Sequence, residues 1–407
     1  MLQTVKAQTR RWKTFLKTRL DAILLNRRLS ATALPLEVRE SSVACLLRAW
    51  EELLEHPSLH FDLHGSHSPA EREIIERIRR ETSQANRTNV TRTAAYWELY
   101  TRTSELHWAF LAHMVSRNGG WNMTDLQGEH LSRLIEPTRR RNLFRMLERS
   151  NALIFHDAYP QLRLYEESKR LGRSLFHLLP EFHVSRFMQP VWERFWDQRH
   201  SAELTVCLII NEQQVLEQNV IRDEQIQARV LKSLPIRLQA LLHFNHILIP
   251  YGDGRLAGVI VERFASLPAR IETGKQLYGI LFGIPAVHEG ALRFAGARPH
   301  TGSRADYWPE TFTALRDDSV KPGSDRTRRP SPVFSPTLEA AWPEQPFLPP
   351  VPGDWFRQLE IARHIKTVRA PRKVDMTKEA RFRLTELSLL AKAVSSLKDL
   401  SDGLLSR

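Results

Sequence analysis

The sequence is poor in the features that most readily disclose a function. Only two of its 407 residues are cysteine. Cys45 and Cys207 lie in apolar runs (VACLL and TVCLII) with no CxxC and no companion ligands, so a disulfide framework and a cysteine metal site are excluded and reduced, buried thiols are expected. Long apolar runs are also missing. LTVCLII at 204–210 falls far short of the roughly 18 residues a membrane-spanning helix needs. The first residues hold cations but no apolar stretch followed by a small-residue cleavage site, which argues against a secretory signal. A cytoplasmic protein is expected, at most peripheral at the inner membrane face.

Catalytic signatures are equally scarce. There is no HExxH, ExxH or GxSxG, and ETGKQ at 272–276 lacks the earlier glycine and the Ser/Thr of a phosphate-cradling loop. No cofactor fingerprint and no metal-ligand set stands out. His156-Asp157, with His113 and Asp223, is a weak imitation of a metal-dependent phosphohydrolase. His243 and His246, three apart in LLHFNHIL, have the spacing of two ligands on a helix but no carboxylate beside them.

Charge is what the sequence has in excess. The net charge is +13, and it is confined to the ends: residues 1–30 hold eight Lys/Arg against one Asp, residues 357–407 twelve Lys/Arg against six Asp/Glu, and 39 basic residues balance 39 acidic ones between them. Basic ends on a neutral body predict appendages that meet a polyanion. In the first segment Val5, Trp12, Leu16, Leu20 and Ile23 share a helical stripe, with Lys6, Arg10, Lys17 and Arg28 along one shoulder and Phe15 at its edge. That pattern fits an interfacial helix, with Trp12 and Phe15 entering the headgroup region. It equally fits a helix docked on its own protein, or one bound to nucleic acid.

Elsewhere a 3.6-residue period dominates. Helices are expected over 35–54, from a capping box at Ser68-Pro69-Glu71, and over 89–101, 104–118, 124–136, 138–155, 160–171, 190–199, 202–218, 224–245 and 267–282, punctuated by Pro137, Pro160, Pro190 and Gly119-Gly120. VCLII and RLAGVIVERF are the strand candidates. Ten of the 23 prolines fall within 309–352, a linker or a strap over the body. Residues 354–370 and 376–400 again read as helical, and the last helix can dock or pair with a protein partner. The expectation is an all-α fold with few or no strands: a basic amphipathic helix (1–30), one large helical body (31–310), the Pro-rich segment (311–353) and a basic helical end (354–407).

Two stretches suggest a site. In ELHWAFLAHMVSRNGGWNMTDL (105–126), His107 lies among core residues, while His113 and Arg117 project together from the edge of the apolar face. Asn118-Gly119-Gly120 is expected to stop that helix, with Trp121 following and Asn122 or Thr124 capping the next one, which leaves free N–H groups at a corner near His113 and Arg117. In PHTGSRADYWP (299–309), His300, Ser303, Arg304, Asp306 and Tyr307 crowd one loop. His113, Arg117, Asn118, Trp121, Asp125, His300, Ser303, Arg304 and Tyr307 therefore form a candidate pocket for an unidentified small ligand or substrate, or a hydrogen-bond network that fixes the helices.

HWAFLAHMVSRNGGWNMTDL, IINEQQVLE (209–217) and PHTGSRADYW together resemble the YppC-like family, uncharacterised bacterial proteins chiefly of Firmicutes that carry a domain of unknown function. The resemblance spans about Asn86 to Trp308. It implies a bacterial origin and a largely helical body, and it carries no activity and no catalytic residue. The residues themselves favour a binding or scaffolding protein whose basic ends contact an anionic surface such as the inner membrane face. A small-ligand binder or enzyme using the pocket, and a nucleic-acid binder using the ends, are the alternatives.

Overall fold

Ser68 shows why the chain starts helices where it does. Its hydroxyl accepts from the Glu71 N–H while Glu71 reaches back to the Ser68 N–H, and Pro69 occupies the first helical position, where no donor is lost. Thr88 and Thr91 repeat this reciprocal cap one helix later. A computed structural model describes residues 20–55, 67–231, 246–252, 254–261, 263–316 and 332–405, with side chains described as far as residue 397. Its helices are α1 (20–31), α2 (Glu40–Glu55), α3 (Pro69–Ala85), α4 (Asn89–Arg102), α5 (His107–Asp125), α6 (Leu131–Leu134), α7 (Pro137–Leu171), α8 (Met188–Gln198), α9 (Ser201–Leu216), α10 (Glu224–Ile226), α11 (Leu267–Gly283), α12 (Pro285–Ala297), α13 (Leu338–Ala341) and α14 (Thr377–Leu405). The molecule is predominantly helical, as the periodicity predicts.

Helix α7 is the central strut and packs against α3, α4, α5 and α9. It begins on a Glu136 cap and ends at Gly172, whose φ of 67° is the left-handed conformation that glycine adopts without strain. Pro160 does not divide it, contrary to the expected break: the proline is buried inside one 35-residue helix, and packing from the surrounding helices outweighs one lost backbone bond. Pro190 falls inside the first turn of α8, where a proline is tolerated, the helix starting two residues earlier than expected at Met188. Helix α9 is buried without interruption from Glu203 to Asn211, so VCLII is a helix surrounded by others and not a strand. The core closes on Trp50, Trp108 and Trp192, with Trp50 stacked on Phe187 at 4.6 Å.

RLAGVI does form a strand. β1 (His246–Gly252) and β2 (Arg255–Ile260) make an antiparallel hairpin with His246 opposite Ile260. His246 thus begins a strand, which removes the helical spacing proposed for it and His243; His243 lies outside the described residues. The hairpin sits against α12, where Gly290 makes room: a Cβ there would stand 1.8 Å from the Tyr251 carbonyl oxygen. A two-residue parallel pair, β3 (Phe312–Thr313) with β4 (Val333–Phe334), ties the loop after α12 to the segment that follows. That segment lies on the body: Trp342 stacks on Phe144 at 4.3 Å and donates to the Met123 carbonyl at 2.8 Å. The chain then returns past α2 and α8, with Phe356 buried near Trp50, before α14 packs on β2 through Ala380.

Candidate functional site

The structure brings together the two stretches singled out above, through a helix that does not stop where expected. α5 runs through Gly119-Gly120 to Asp125, so there is no corner and no free helix terminus near Arg117, and Asn122 and Thr124 are helical residues rather than caps. Close approach explains the glycines. A Cβ at Gly120 would lie 2.5 Å from Asn89 Oδ1 and 2.7 Å from the His300 ring, so Gly120 lets α4 and the 299–308 loop meet across α5.

Each of the nine side chains has a defined setting there. His113 donates from Nδ1 to the Thr93 carbonyl at 2.8 Å and lies beside Trp97, and burial, aided by the Arg117 charge, pushes its pKa down to about 3, leaving a neutral imidazole. Arg117 donates to the Arg298 and Pro299 carbonyls at 2.8 and 3.1 Å and covers the Phe294 ring. Asn118 pairs with a strand as a backbone would, donating to Leu248 O at 2.7 Å and accepting from Leu248 N at 2.9 Å. It also reaches Tyr307 Oη at 3.4 Å. Trp121 meets Tyr307 edge-on and carries the Arg304 guanidinium 4.1 Å above its ring. Arg304 pairs with Asp125 at 2.5 Å, and Asp125 also accepts from Ser335. Ser303 donates to the Ser335 carbonyl at 2.5 Å, and His300 donates from Nε2 to Asn89 Oδ1 at 2.7 Å. Such an array can hold a loop, a strap and two helices in register.

The polar chain continues inward. Asn89 and Asn151 both reach Ser116 Oγ, and Arg92, wholly buried, donates to Asn151 at 2.6 Å and clamps Glu148 with two bonds of 2.6 Å. The residues that imitate a phosphohydrolase do not converge on one site: Asp157 accepts from Gln161 and Asn211, His156 lies against Phe347, and Asp223 caps α10. Among the described residues no group of three His, Cys, Asp or Glu is placed to hold a metal ion. His107 is a core histidine bonded to Tyr278 Oη at 2.8 Å.

Sequence reasoning missed Glu212 on α9 and read Asp157 on α7 only as half of a His-Asp dyad. Burial pushes the pKa of Asp157 up to about 7 and that of Glu212 up to about 8. For Glu212 the available signal was an acid one residue past the apolar run of α9, in the IINEQQVLE block. Glu212 lines a cavity together with Tyr96 and Trp108.

Described parts of the two basic ends also meet. Asn26 Oδ1 in α1 accepts from the Val374 and Asp375 N–H groups at 2.7 and 2.9 Å, and Ser30 donates to the Arg372 carbonyl. Of the cation-contact residues, Arg28 is exposed on α1, whereas Lys6, Arg10, Trp12, Phe15 and Lys17 lie outside the described residues. Leu20, Ile23 and Leu24 are each more than half exposed, as are Phe382, Leu389 and Leu397 on α14. Among the described residues no helix is long and apolar enough to cross a membrane.

The model of a family described as protein of unknown function (DUF2515) matches residues 84–387, beyond the recognised blocks and into α14. A curated relative, the uncharacterised protein YppC of Bacillus subtilis (strain 168), is 37% identical over 307 residues, covering 75% of this chain and 90% of the relative. No solved structure matches. With most of its length matched by the model and by this relative, the chain belongs to the DUF2515 family.

Proposed function

We propose that this protein is a peripheral binding protein whose two basic ends together dock on an anionic lipid surface. The observation that supports this reading is the joint between α1 and residues 372–375, where the described part of the N-terminal end meets the C-terminal one. Each end combines exposed apolar side chains with cations. On α1 these are Leu20, Ile23 and Leu24 with Arg27 and Arg28; on α14, Phe382, Leu389 and Leu397 with Arg381 and Lys392. α14 is apolar on two opposite strips, for Ala380, Leu387 and Ala391 face the body while Phe382 and Leu389 face away. Exposed apolar side chains insert, and each nearby cation adds about 1 kcal/mol on an anionic leaflet.

The test is flotation of full-length protein with vesicles of phosphatidylglycerol or of phosphatidylcholine. Binding is expected to the anionic vesicles alone, to weaken with salt, and to fall on removal of residues 1–30 or on Leu389→Glu with Leu397→Glu. Equal binding by the trimmed and intact chains, or indifference to headgroup charge, overturns the reading. Salt-sensitive binding to duplex DNA without vesicle binding replaces it with the nucleic-acid alternative.

A further inference from the structure

A cavity of about 180 Å³ opens between α4, α5, α7, α9 and α11, away from the joined ends. Its walls are mostly apolar, formed by side chains such as Leu111, Val115, Ile154 and Leu216. Among them are two neutral O–H groups. Glu212 accepts from Trp108 Nε1 at Oε2 and from Gln213 Nε2 at Oε1, both at 3.1 Å. Burial keeps that carboxyl protonated at neutral pH, and with both oxygens accepting, its own proton has no partner among the described residues. The Tyr96 hydroxyl is buried and also lacks a hydrogen-bond partner among the described residues.

The charges around the cavity are already matched. Arg270 is bonded to Glu217 at 2.6 Å, to Gln213 and to the Phe264 carbonyl, and Arg92 is clamped by Glu148. Asp157, the other acid that acts on Glu212, accepts from Asn211 and Gln161. An anion therefore finds no spare cation here, while a donor left unpaired in apolar surroundings costs about 1–3 kcal/mol until an acceptor arrives. Size narrows the ligand further, since roughly 150 Å³ accommodates a benzene ring. We propose that this cavity is a binding site for a small uncharged molecule, about one ring in size, whose acceptor oxygen takes the protons offered by Glu212 and Tyr96. This site is independent of the lipid-docking surface.

The experiment is ligand-observed NMR on the full chain with three probes of similar shape: acetophenone, which carries a carbonyl acceptor; ethylbenzene, which carries none; and benzylammonium, which is cationic. Acetophenone is expected to bind best. Tyr96→Phe and Glu212→Leu should each weaken it roughly tenfold, about 1.4 kcal/mol, while Glu212→Gln, whose amide still donates, should largely retain it. With unaltered protein, acetophenone affinity should fall as pH rises through about 8, where Glu212 loses its proton, so the test survives a variant that fails to fold. Ethylbenzene binding as tightly as acetophenone overturns the proposal by showing an apolar void alone. Preference for benzylammonium, increasing with pH, overturns it by showing a carboxylate site. Absence of binding by all three overturns it by showing a closed cavity.

Discussion

Gly120 and Asp125 show how much of this molecule rests on single side chains. Adding one methyl at Gly120 drives a carbon into Asn89 and His300, neither the loose end of a flexible chain since both are hydrogen-bonded in place. Gly120→Ala is expected to cost about 1–3 kcal/mol in urea unfolding, despite alanine's better helix propensity; a neutral or stabilising result would contradict the crossing described. Asp125→Ala leaves Arg304 buried without its ion partner and should cost about 3–5 kcal/mol. Asp125→Leu combined with Arg304→Met should cost less than Asp125→Ala alone, because no charge is stranded. Additive losses in that cycle would mean the pair is not coupled. The sequence marked these residues as belonging together, because polar side chains in an apolar helix and in a dense loop are each unusual. It did not indicate that backbone carbonyls 181 and 182 residues away would be the partners of Arg117, since nothing local encodes that distance.

At the scale of elements, the helices were legible wherever their caps and apolar stripes are local, as at Ser68 and along α14. They were misread where tertiary contact overrides local preference. Gly119-Gly120 and Pro160 are helix breakers by propensity, yet each is held inside a helix by what packs on it. The contact of α7 with α9 carries a testable consequence in Asp157 and Glu212. Their folded pKa values are raised from 3.8 to about 7 and from 4.5 to about 8, chiefly by burial. Between these limits the folded chain holds protons that the unfolded chain has released. Stability is therefore greatest below about pH 4, as far as these two groups decide it, and declines as pH rises towards about 8. Asp157→Asn, which still accepts from Gln161 and Asn211 through its amide oxygen, should flatten that decline and stabilise the protein at alkaline pH. Unfolding free energies measured across the window decide the matter, and parallel profiles for the variant and unaltered protein would show that Asp157 does not titrate there.

For the whole molecule, the informative distance is the one the sequence hides most completely: Asn26 and Val374 are 348 residues apart and in contact. The excess charge at each end was legible from composition, but the contact of α1 with residues 372–375 follows from the chain's return across the body after residue 353, which no periodicity records. Two weak surface contacts held at fixed separation bind more tightly than either alone, because the second is made at high effective concentration. The joint therefore matters beyond its few hydrogen bonds. Asn26→Ala removes the shared acceptor of the Val374 and Asp375 N–H groups without altering any charge. Hydrogen exchange in a peptide covering 372–376 should quicken, while exchange in the α7 and α9 core stays unchanged. The same variant should bind anionic vesicles more weakly than the intact protein although its net charge is identical. If exchange quickens and vesicle binding does not move, the ends act separately and the joint serves the fold alone.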